Sequence, residues 1–373
     1  MTGDTQINKS PGSTEPFSSN PIRLSVREWL ITLAVVAGIA FTLPGIWWLL
    51  TSIDRSTDYR IPYDQSEDYW LYRHHARSAA EGEKTLLIGD SVIWGQYVDR
   101  DQTLTHYLNE QAGGYEFINM GLDGTHQIAL AGLIRHYGRA IHDRDVIVHL
   151  NLLWLSSPEA DLQAERGVRL NHPRLVPQFG SPVPSYTESV SGRISIVLER
   201  KVRLFEWARH LRSTSFDNTN LQVWTAGHPY TSPLSNITFR IPDSDEHQEP
   251  PVRSGAAGRQ VQQSLPWVER ETSLQWEGFR RLIEVLHARN NRVSVIVGPL
   301  NEHALDDVSL QKYQRLLLDA QAKLTEIGLD ALFLPLLPAG LYADTSHPVG
   351  PGYALMAEEI WQWLASRPDS TPR

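Results

Sequence analysis

The chain of 373 residues contains no cysteine, only three methionines and no excess of positive charge. Without cysteine it can form no disulfide, use no thiolate nucleophile and bind no metal through sulfur. The 43 acidic residues outnumber the 34 basic ones, for a net charge of −9. Because no basic stripe occurs either, the sequence argues against a nucleic-acid partner. No motif indicates a cofactor or a metal site.

Long uncharged runs are absent as well, except for the segment from Trp29 to Ile53. A helix of that length spans about 37 Å, which is enough to cross a bilayer. Tryptophans near both ends suit the headgroup regions. A cleaved signal peptide is the alternative, but it would leave the apolar TLPGIWWLL on the mature protein. We expect a retained single-pass inner-membrane anchor, with the catalytic domain on the periplasmic or extracytoplasmic side.

Composition divides the rest of the chain around this span. Residues 1–28 are polar and predict a disordered cytoplasmic tail, and residues 368–373 form a short C-terminal tail. Residues 54–84 predict a polar stalk followed by a leading helix. Residues 85–367 predict one domain, which carries a long insertion at about 155–290.

Two segments outside the regular pattern invite functional interpretations. The leading helix contains His74 and His75, but adjacent positions point to different helix faces, so we expect a solvated surface there rather than a metal site. Within the insertion, basic and apolar residues are mixed from Ile194 to Leu211. Such a helix can lie on a membrane surface, although packing on its own domain is the commoner arrangement.

From residue 85 onward, short apolar strands alternate with amphipathic helices. This order is typical of a parallel sheet covered by helices on both faces. The predicted strands are Thr85–Ile88, Tyr115–Asn119, Asp145–Leu150, Arg292–Gly298 and Ala331–Leu334. The predicted helices are Gln102–Gln111 with Asp101 as its cap, His126–Ile141, Ser273–Asn290, Val308–Ile327 and Pro351–Ser366.

The first strand ends at Gly89-Asp90-Ser91, where the sheet's carboxyl edge would lie. In open α/β sheets the chemistry occurs just outside this edge. A serine there, close to the start of a helix, lies near backbone N–H groups that can stabilise an oxyanion. A simple turn is the alternative, because Gly, Asp and Ser are all common turn residues.

A distant pair of residues favours catalysis over a turn. Asp344 and His347 stand three residues apart, just before the last predicted helix. A serine hydroxyl needs a base to take its proton, a neutral imidazole suits that task near neutral pH, and a carboxylate can fix the imidazole's tautomer. An N-cap is the alternative for this pair. No G-x-S-x-G is present, so an α/β-hydrolase elbow is not indicated.

Three motifs together resemble the SGNH (GDSL-type) hydrolase superfamily: Gly89-Asp90-Ser91, the segment from Asn119 to Gly124, and Asp344-Thr345-Ser346-His347. The resemblance covers about residues 85–155 and 290–365. It implies a flavodoxin-like three-layer α/β/α fold with a parallel five-stranded sheet.

The resemblance also implies roles for individual residues. Ser91 would be the nucleophile, His347 the general base and Asp344 the carboxylate that orients it. Gly124 would supply a backbone N–H to the oxyanion hole.

The third motif of the family, Gly-x-Asn-Asp, is missing. Asn151 lies nearest to its position and is the candidate side-chain oxyanion donor, with strand capping as the alternative. This divergence resembles membrane-anchored members that move acyl groups on cell-envelope polymers. After the fourth strand, Asn301 and Glu302 are candidates for substrate contact or for capping a loop.

These observations predict a membrane-anchored serine esterase or O-acyltransferase that forms an acyl-serine intermediate. Its substrate would be an acylated, for example acetylated, envelope or extracellular polysaccharide, with an acyl-delivering membrane protein as a further partner. One alternative is a non-catalytic SGNH-fold assembly or carbohydrate-binding protein of a polysaccharide export system. Another is a metal phosphoesterase using His142, Asp143 and Asp145, residues that more often end a helix and open a strand.

Overall fold

The structure is a computed structural model, and the residues that it describes are 24–51, 59–165, 168, 170–180, 183–241, 249 and 262–367. Most of the predicted N-terminal tail, residues 52–58 of the stalk and the C-terminal tail at 368–373 lie outside the described residues. Two compact units are present, residues 1–43 and residues 44–373.

An apolar helix, α1, runs from Val26 to Leu50. Its start is a capping box, because the Ser25 hydroxyl accepts from the Glu28 backbone N–H while the Glu28 carboxylate accepts from the Ser25 backbone N–H. Length and composition allow α1 to cross a membrane, and its large apolar side chains up to Phe41 are mostly exposed.

Five parallel strands form the sheet of the second unit, in the order β2-β1-β3-β4-β5. Their bounds are Thr85–Ile88 (β1), Phe117–Asn119 (β2), Asp145–Leu150 (β3), Arg292–Val297 (β4) and Asp330–Phe333 (β5). The predicted all-parallel α/β class is therefore confirmed. Strands β1 and β3 have the predicted bounds, β2 and β4 differ from them at one end by two residues and one residue, and β5 is shifted by one residue at both ends.

The helices of this unit are α2 (Tyr69–Ala79), α3 (Ser91–Trp94), α4 (Leu104–Ala112), α5 (Gln127–His136), α6 (Val190–Lys201), α7 (Arg203–Ser215), α8 (Leu221–Gly227), α9 (Pro233–Asn236), α10 (Leu274–His287), α11 (Asp307–Glu326) and α12 (Gly350–Ala365). The mixed segment from Ile194 to Leu211 is thus two helices rather than one. Val202 adopts an extended conformation between them, with φ of −110°.

Both faces of the sheet are buried. Leu86 and Ile88 of β1 face a large core formed with α2, α5, α10 and α11, while Leu87 faces a second core with α4 and α12. Because side chains alternate along a strand, a run that is apolar throughout requires cover on both sides.

Two local expectations were wrong. Thr103, not Asp101, caps α4, because the Thr103 hydroxyl accepts from the His106 backbone N–H at 3.2 Å. The histidines of α2 are buried rather than solvated. His75 donates to the Asn119 carbonyl at 2.8 Å, and burial lowers its pKa to about 4. The helix that we expected at the surface is part of the core.

Helices α5 and α10 touch at a glycine. A Cβ on Gly278 would come within 2.6 Å of the Ile128 backbone nitrogen, a distance that real Cβ atoms do not adopt. Only glycine therefore allows this close crossing of the two helix backbones.

We expect Gly278→Ala to lower the free energy of unfolding by about 1–3 kcal/mol, because the two helices must move apart. Gly227→Ala in α8 is the matched control, since nothing lies within 4 Å of its added methyl group. Thermal unfolding of the full chain measures both variants. Equal transition temperatures for the two would show that the crossing is not close in solution.

Candidate active site

The Ser91 hydroxyl lies at the N-terminus of α3, directly after the carboxyl end of β1. Its Oγ is 2.7 Å from Nε2 of His347, and the side chains are separated by 256 positions in sequence. Both residues are at least 91 % buried in the protein, with exposed fractions of 7 % and 9 %. The structure thus brings together the two residues that the sequence predicted to be partners.

Asp344 completes a line of hydrogen bonds. His347 Nδ1 lies 2.8 Å from Oδ2 of Asp344 and 2.9 Å from Oδ1. Burial, the largest single effect, would raise the pKa of Asp344, but the hydrogen bond from His347, its charge and the backbone N–H groups of Ser346 and His347 together lower it. An ionised carboxylate only accepts, so Nδ1 carries the hydrogen and the lone pair of Nε2 faces the serine hydroxyl. This is the tautomer that a general base needs.

Hydrogen bonds hold the loop that carries the pair. Backbone N–H groups of Ser346 and His347 both donate to Oδ1 of Asp344 at 2.9 Å. Asn301, after β4, donates from its side chain to the Asp344 carbonyl at 3.0 Å and from its backbone to the Thr345 carbonyl. The exposed fraction of Asn301 is 0 %, and these contacts favour the alternative in which its side chain supports the loop. Contact of Asn301 with a substrate stays a prediction.

The short helix under Ser91 is held from two sides. The buried Arg60 guanidinium donates to the carbonyls of Gly95 at 2.6 Å and Val98 at 3.0 Å. The Tyr353 hydroxyl, from α12, donates to the Val92 carbonyl at 2.8 Å. A four-residue helix has little stability of its own, so these contacts fix the position of the serine.

Asn151 lies at the end of β3, and its amide is directed at the Asp90 carboxylate. Its Nδ2 donates to Oδ2 of Asp90 at 2.8 Å, and its Oδ1 accepts from the Leu153 backbone N–H. A primary amide has two N–H groups, so one remains after the bond to Asp90. Asn151 thus caps the chain after β3, as the capping alternative predicted, and its role as an oxyanion donor stays a prediction.

Asp90 is the centre of a buried network that the sequence did not predict. Besides Asn151, its carboxylate accepts from the Val92 backbone N–H at 3.1 Å and from the Trp154 indole at 3.0 Å, and it lies 3.1 Å from His149 Nδ1. Burial alone would raise the pKa of Asp90, but His149, Asn151 and the more distant His347 lower it to about 2.

Gly124 lies in the turn after β2 with φ of +67°, in the left-handed region that favours glycine. Its N–H lowers the pKa of the neighbouring Asp123 carboxyl, against the larger effect of burial. The Asn171 side chain, from the insertion, lies beside it: a Cβ on Gly124 would be 3.4 Å from Asn171 Nδ2. Asn171 is exposed and is a second amide donor close to this turn.

Tyr97 and Asp123 are two further residues at the site that sequence reasoning missed. The Tyr97 ring meets His347 edge to face at 5.3 Å, and its backbone has φ of +67°, unusual for a bulky residue. Burial, reinforced by the Asp344 and Asp123 carboxylates, raises the pKa of Tyr97 to about 12. The positive φ could not be predicted, but an acidic residue directly before Gly124 was visible in the sequence.

The residues of the metal phosphoesterase alternative, His142, Asp143 and Asp145, lie away from the carboxyl edge of the sheet. Asp145 begins β3, at the opposite end from Asn151, and pairs with Arg292. His142 and Asp143 bond to each other in an exposed loop. Within the described part of the chain, no group of three or more His, Asp or Glu side chains is placed to hold a metal ion.

Asp123 makes the stability of the fold depend on pH. Burial raises its pKa from 3.8 to about 6, and the Asp90 charge adds to this rise against the opposing effects of His347 and the Gly124 N–H. The unfolded chain loses this proton at lower pH than the folded chain does. Ionisation above pH 6 therefore costs the folded state, whereas below about pH 4 both states are protonated and the cost vanishes.

We expect Asp123→Asn to stabilise the fold at pH 8 by on the order of 1–3 kcal/mol, with the gain shrinking as the pH falls from 6 toward 4. Urea unfolding of the full chain across this pH range measures it. Asp217→Asn, at an exposed site, controls for the loss of one negative charge. A gain that is equal at pH 5 and pH 8 would contradict the buried-carboxyl explanation.

Scanned against protein-family models and against curated proteins, the chain matches none of them. The resemblance of its motifs to a known superfamily therefore rests on the residues themselves. Those residues are the serine after β1, the glycine after β2 and the Asp/His pair before α12. To them the structure adds the distances of 2.7 Å and 2.8 Å that join Ser91, His347 and Asp344.

Proposed function

We propose that this chain is a membrane-anchored serine enzyme of the SGNH hydrolase type, acting on an ester through an acyl-serine intermediate. The observation that carries the proposal is the bonded line Ser91–His347–Asp344 at the carboxyl edge of a parallel sheet. The strand order 2-1-3-4-5 supports it, because flavodoxin-like sheets share that order and carry their sites at this edge.

The first half of the reaction follows from this geometry. Ser91 Oγ attacks the ester carbonyl carbon while His347 Nε2 takes the hydroxyl proton, and Asp344 stabilises the resulting imidazolium. The carbonyl oxygen becomes an oxyanion. When the tetrahedral intermediate collapses, the carbon–oxygen bond to the alcohol breaks and the imidazolium returns the proton to that alcohol. An acyl group remains on Ser91.

The second half repeats these steps with a new nucleophile. His347 removes a proton from water or from a carbohydrate hydroxyl, and the oxygen attacks the acyl carbon. Breakdown of the second intermediate returns the proton to Ser91 Oγ. Water as nucleophile gives an esterase, and a sugar hydroxyl gives an O-acyltransferase. The substrate in the proposal is an acylated, for example acetylated, envelope or extracellular polysaccharide, because a long insertion and an apolar anchor suit a substrate fixed at the cell surface.

The oxyanion in this mechanism needs donors placed where its charge develops. The Ser91 backbone N–H, at the free N-terminus of α3, is one. The Gly124 N–H, in the turn after β2, is a second. The second N–H of Asn151 is the third.

The location follows from the same proposal. Helix α1 would anchor the chain in the inner membrane, with the enzyme on the periplasmic or extracytoplasmic side, where envelope glycans lie. An acyl-delivering membrane protein would be a partner of the transferase form of the reaction.

A serine-directed fluorophosphonate tests the nucleophile. We expect wild type to be labelled, and Ser91→Ala and His347→Ala to lose labelling and to lower ester turnover by several orders of magnitude. Ser195→Ala, at an exposed position of α6, is the control and should keep both the labelling and the ester turnover. Unlabelled wild type that still binds glycan would favour the non-catalytic alternative.

The role of Asn151 can be separated from that of the network around Asp90. Trp154 donates to the same Asp90 oxygen as Asn151. If Asn151 is an oxyanion donor, Asn151→Ala should lower kcat about 10²–10³-fold with little change in KM. Trp154→Phe removes the indole bond to Asp90 and keeps an aromatic ring in place, so it should cost much less. Equal losses in the two variants would show that Asn151 acts only by supporting Asp90.

A further inference from the structure

The insertion carries an unusual share of exposed apolar side chains. Outside α1, fifteen large hydrophobic residues of the described chain are exposed, and ten of them lie between residues 179 and 239. These ten are Phe179, Val190, Ile194, Leu198, Phe205, Leu221, Val223, Tyr230, Leu234 and Phe239. Single exposed apolar residues are ordinary, but a concentration of them marks an interaction surface.

Helix α6 shows how this surface arises. Val190, Ile194 and Leu198 recur every four residues and form one stripe, yet they are 67 %, 49 % and 50 % exposed. No side chain of α6 is buried. An amphipathic helix of a water-soluble domain ordinarily turns such a stripe inward. In α6, Ile196 and Val197 are half-buried, whereas the stripe of Val190, Ile194 and Leu198 faces outward.

The arginines of α6 attach it to the protein instead. Arg193 donates to the carbonyls of Gln178 at 2.9 Å and Tyr186 at 2.8 Å. Arg200 donates to the carbonyls of Arg174 and Val176. The carbonyls of residues 174, 176, 178 and 186 thus hold the arginines of the helix. Among the described residues, none buries the stripe of Val190, Ile194 and Leu198.

Helices α8 and α9 continue the surface around α7. Leu234 of α9 is 80 % exposed and Val223 of α8 is 58 % exposed. Both helices are fixed to the end of α7, through the Asn236 side chain on the Ser215 carbonyl and through the ring contact of Trp224 with Phe216.

The end of α1 lies against the same group of elements. The Trp47 ring meets Trp207 of α7 at 5.6 Å and Phe239 at 4.3 Å. Trp48 stacks on His74 of α2 at 4.1 Å. Tryptophans at the end of a membrane span lie at headgroup level. Residues in contact with them are therefore within reach of the same interface.

We infer that α6, α8 and α9 lie on the lipid–water interface of the membrane that α1 enters, with their exposed apolar side chains among the headgroups and upper acyl chains. Lys201 and Arg203, both exposed at the junction of α6 and α7, suit anionic headgroups. The inference rests on α1 lying in a membrane, and it is independent of the proposed acyl chemistry.

The absence of cysteine makes the inference directly testable. Single cysteines at Ile194 and Leu234 can each carry a nitroxide spin label on the full chain in nanodiscs that contain anionic lipid. Leu318→Cys, on α11 and 64 % exposed, is the matched aqueous control, and Val36→Cys in α1 is the membrane control. For each label, the relaxation of the nitroxide by oxygen, which concentrates in lipid, is compared with its relaxation by a water-soluble nickel chelate.

We expect the ratio of relaxation by oxygen to relaxation by the nickel chelate to be several-fold higher for labels at Ile194 and Leu234 than for the label at Leu318. Nickel access equal to that at Leu318, with the Val36 label deep in lipid, would overturn the inference while leaving the anchor intact. An aqueous label at Val36 would overturn the anchor and the inference together. Burial of both test labels from oxygen and nickel alike would assign the surface to a protein partner instead of lipid. Fluorophosphonate labelling of the same samples reports separately on the proposed chemistry.

Discussion

The buried carboxylate of Asp90 is the constraint on which the candidate site depends. An ionised group with no exposure to water is costly unless donors surround it. Asp90 accepts hydrogen bonds from the Val92 backbone N–H of its own turn. It also accepts from the side chains of Asn151 and Trp154, which follow β3. These bonds join the turn that carries Ser91 to the neighbouring strand. The position of the nucleophile is therefore set by two strands rather than by one loop.

The charge of this carboxylate is balanced locally. His149 Nε2 faces the Gly298 carbonyl at 2.8 Å, and a carbonyl can only accept, so this nitrogen carries a hydrogen. Its Nδ1 faces the Asp90 carboxylate, which leaves a proton between the two groups. The pair as a whole is neutral. A developing oxyanion on the nearby ester would otherwise meet an uncompensated negative charge beneath Ser91, and that repulsion would oppose the proposed reaction.

The sequence predicted the parts of this site that local pattern controls. Apolar runs located β1 and β3 to the residue, and the short spacing of Asp344 and His347 indicated that one could orient the other. The pairing of Ser91 with His347 rested on family resemblance and topology, and the structure places the two within hydrogen-bonding distance.

The other contacts of the candidate site could not be predicted from the sequence, because they depend on residues that are distant in sequence or on backbone angles. Arg60 supports the serine helix across 35 positions, and Asn171 reaches the Gly124 turn from the insertion. Neither residue belongs to a motif. We expected His75 on a solvated helix surface, because adjacent histidines point to different helix faces. Its burial is explained by a single carbonyl acceptor, Asn119, that no local pattern reveals.

The insertion illustrates a further limit of periodicity. A helical pattern shows that a helix has an apolar face and a polar face, but it does not show which face the protein covers. For α6, the guanidinium groups of Arg193 and Arg200 donate to four backbone carbonyls, those of Arg174, Val176, Gln178 and Tyr186. Buried carbonyls need donors, and these two arginines supply them. The stripe of Val190, Ile194 and Leu198 faces outward on the same helix, and the lipid interface that we infer would accommodate it.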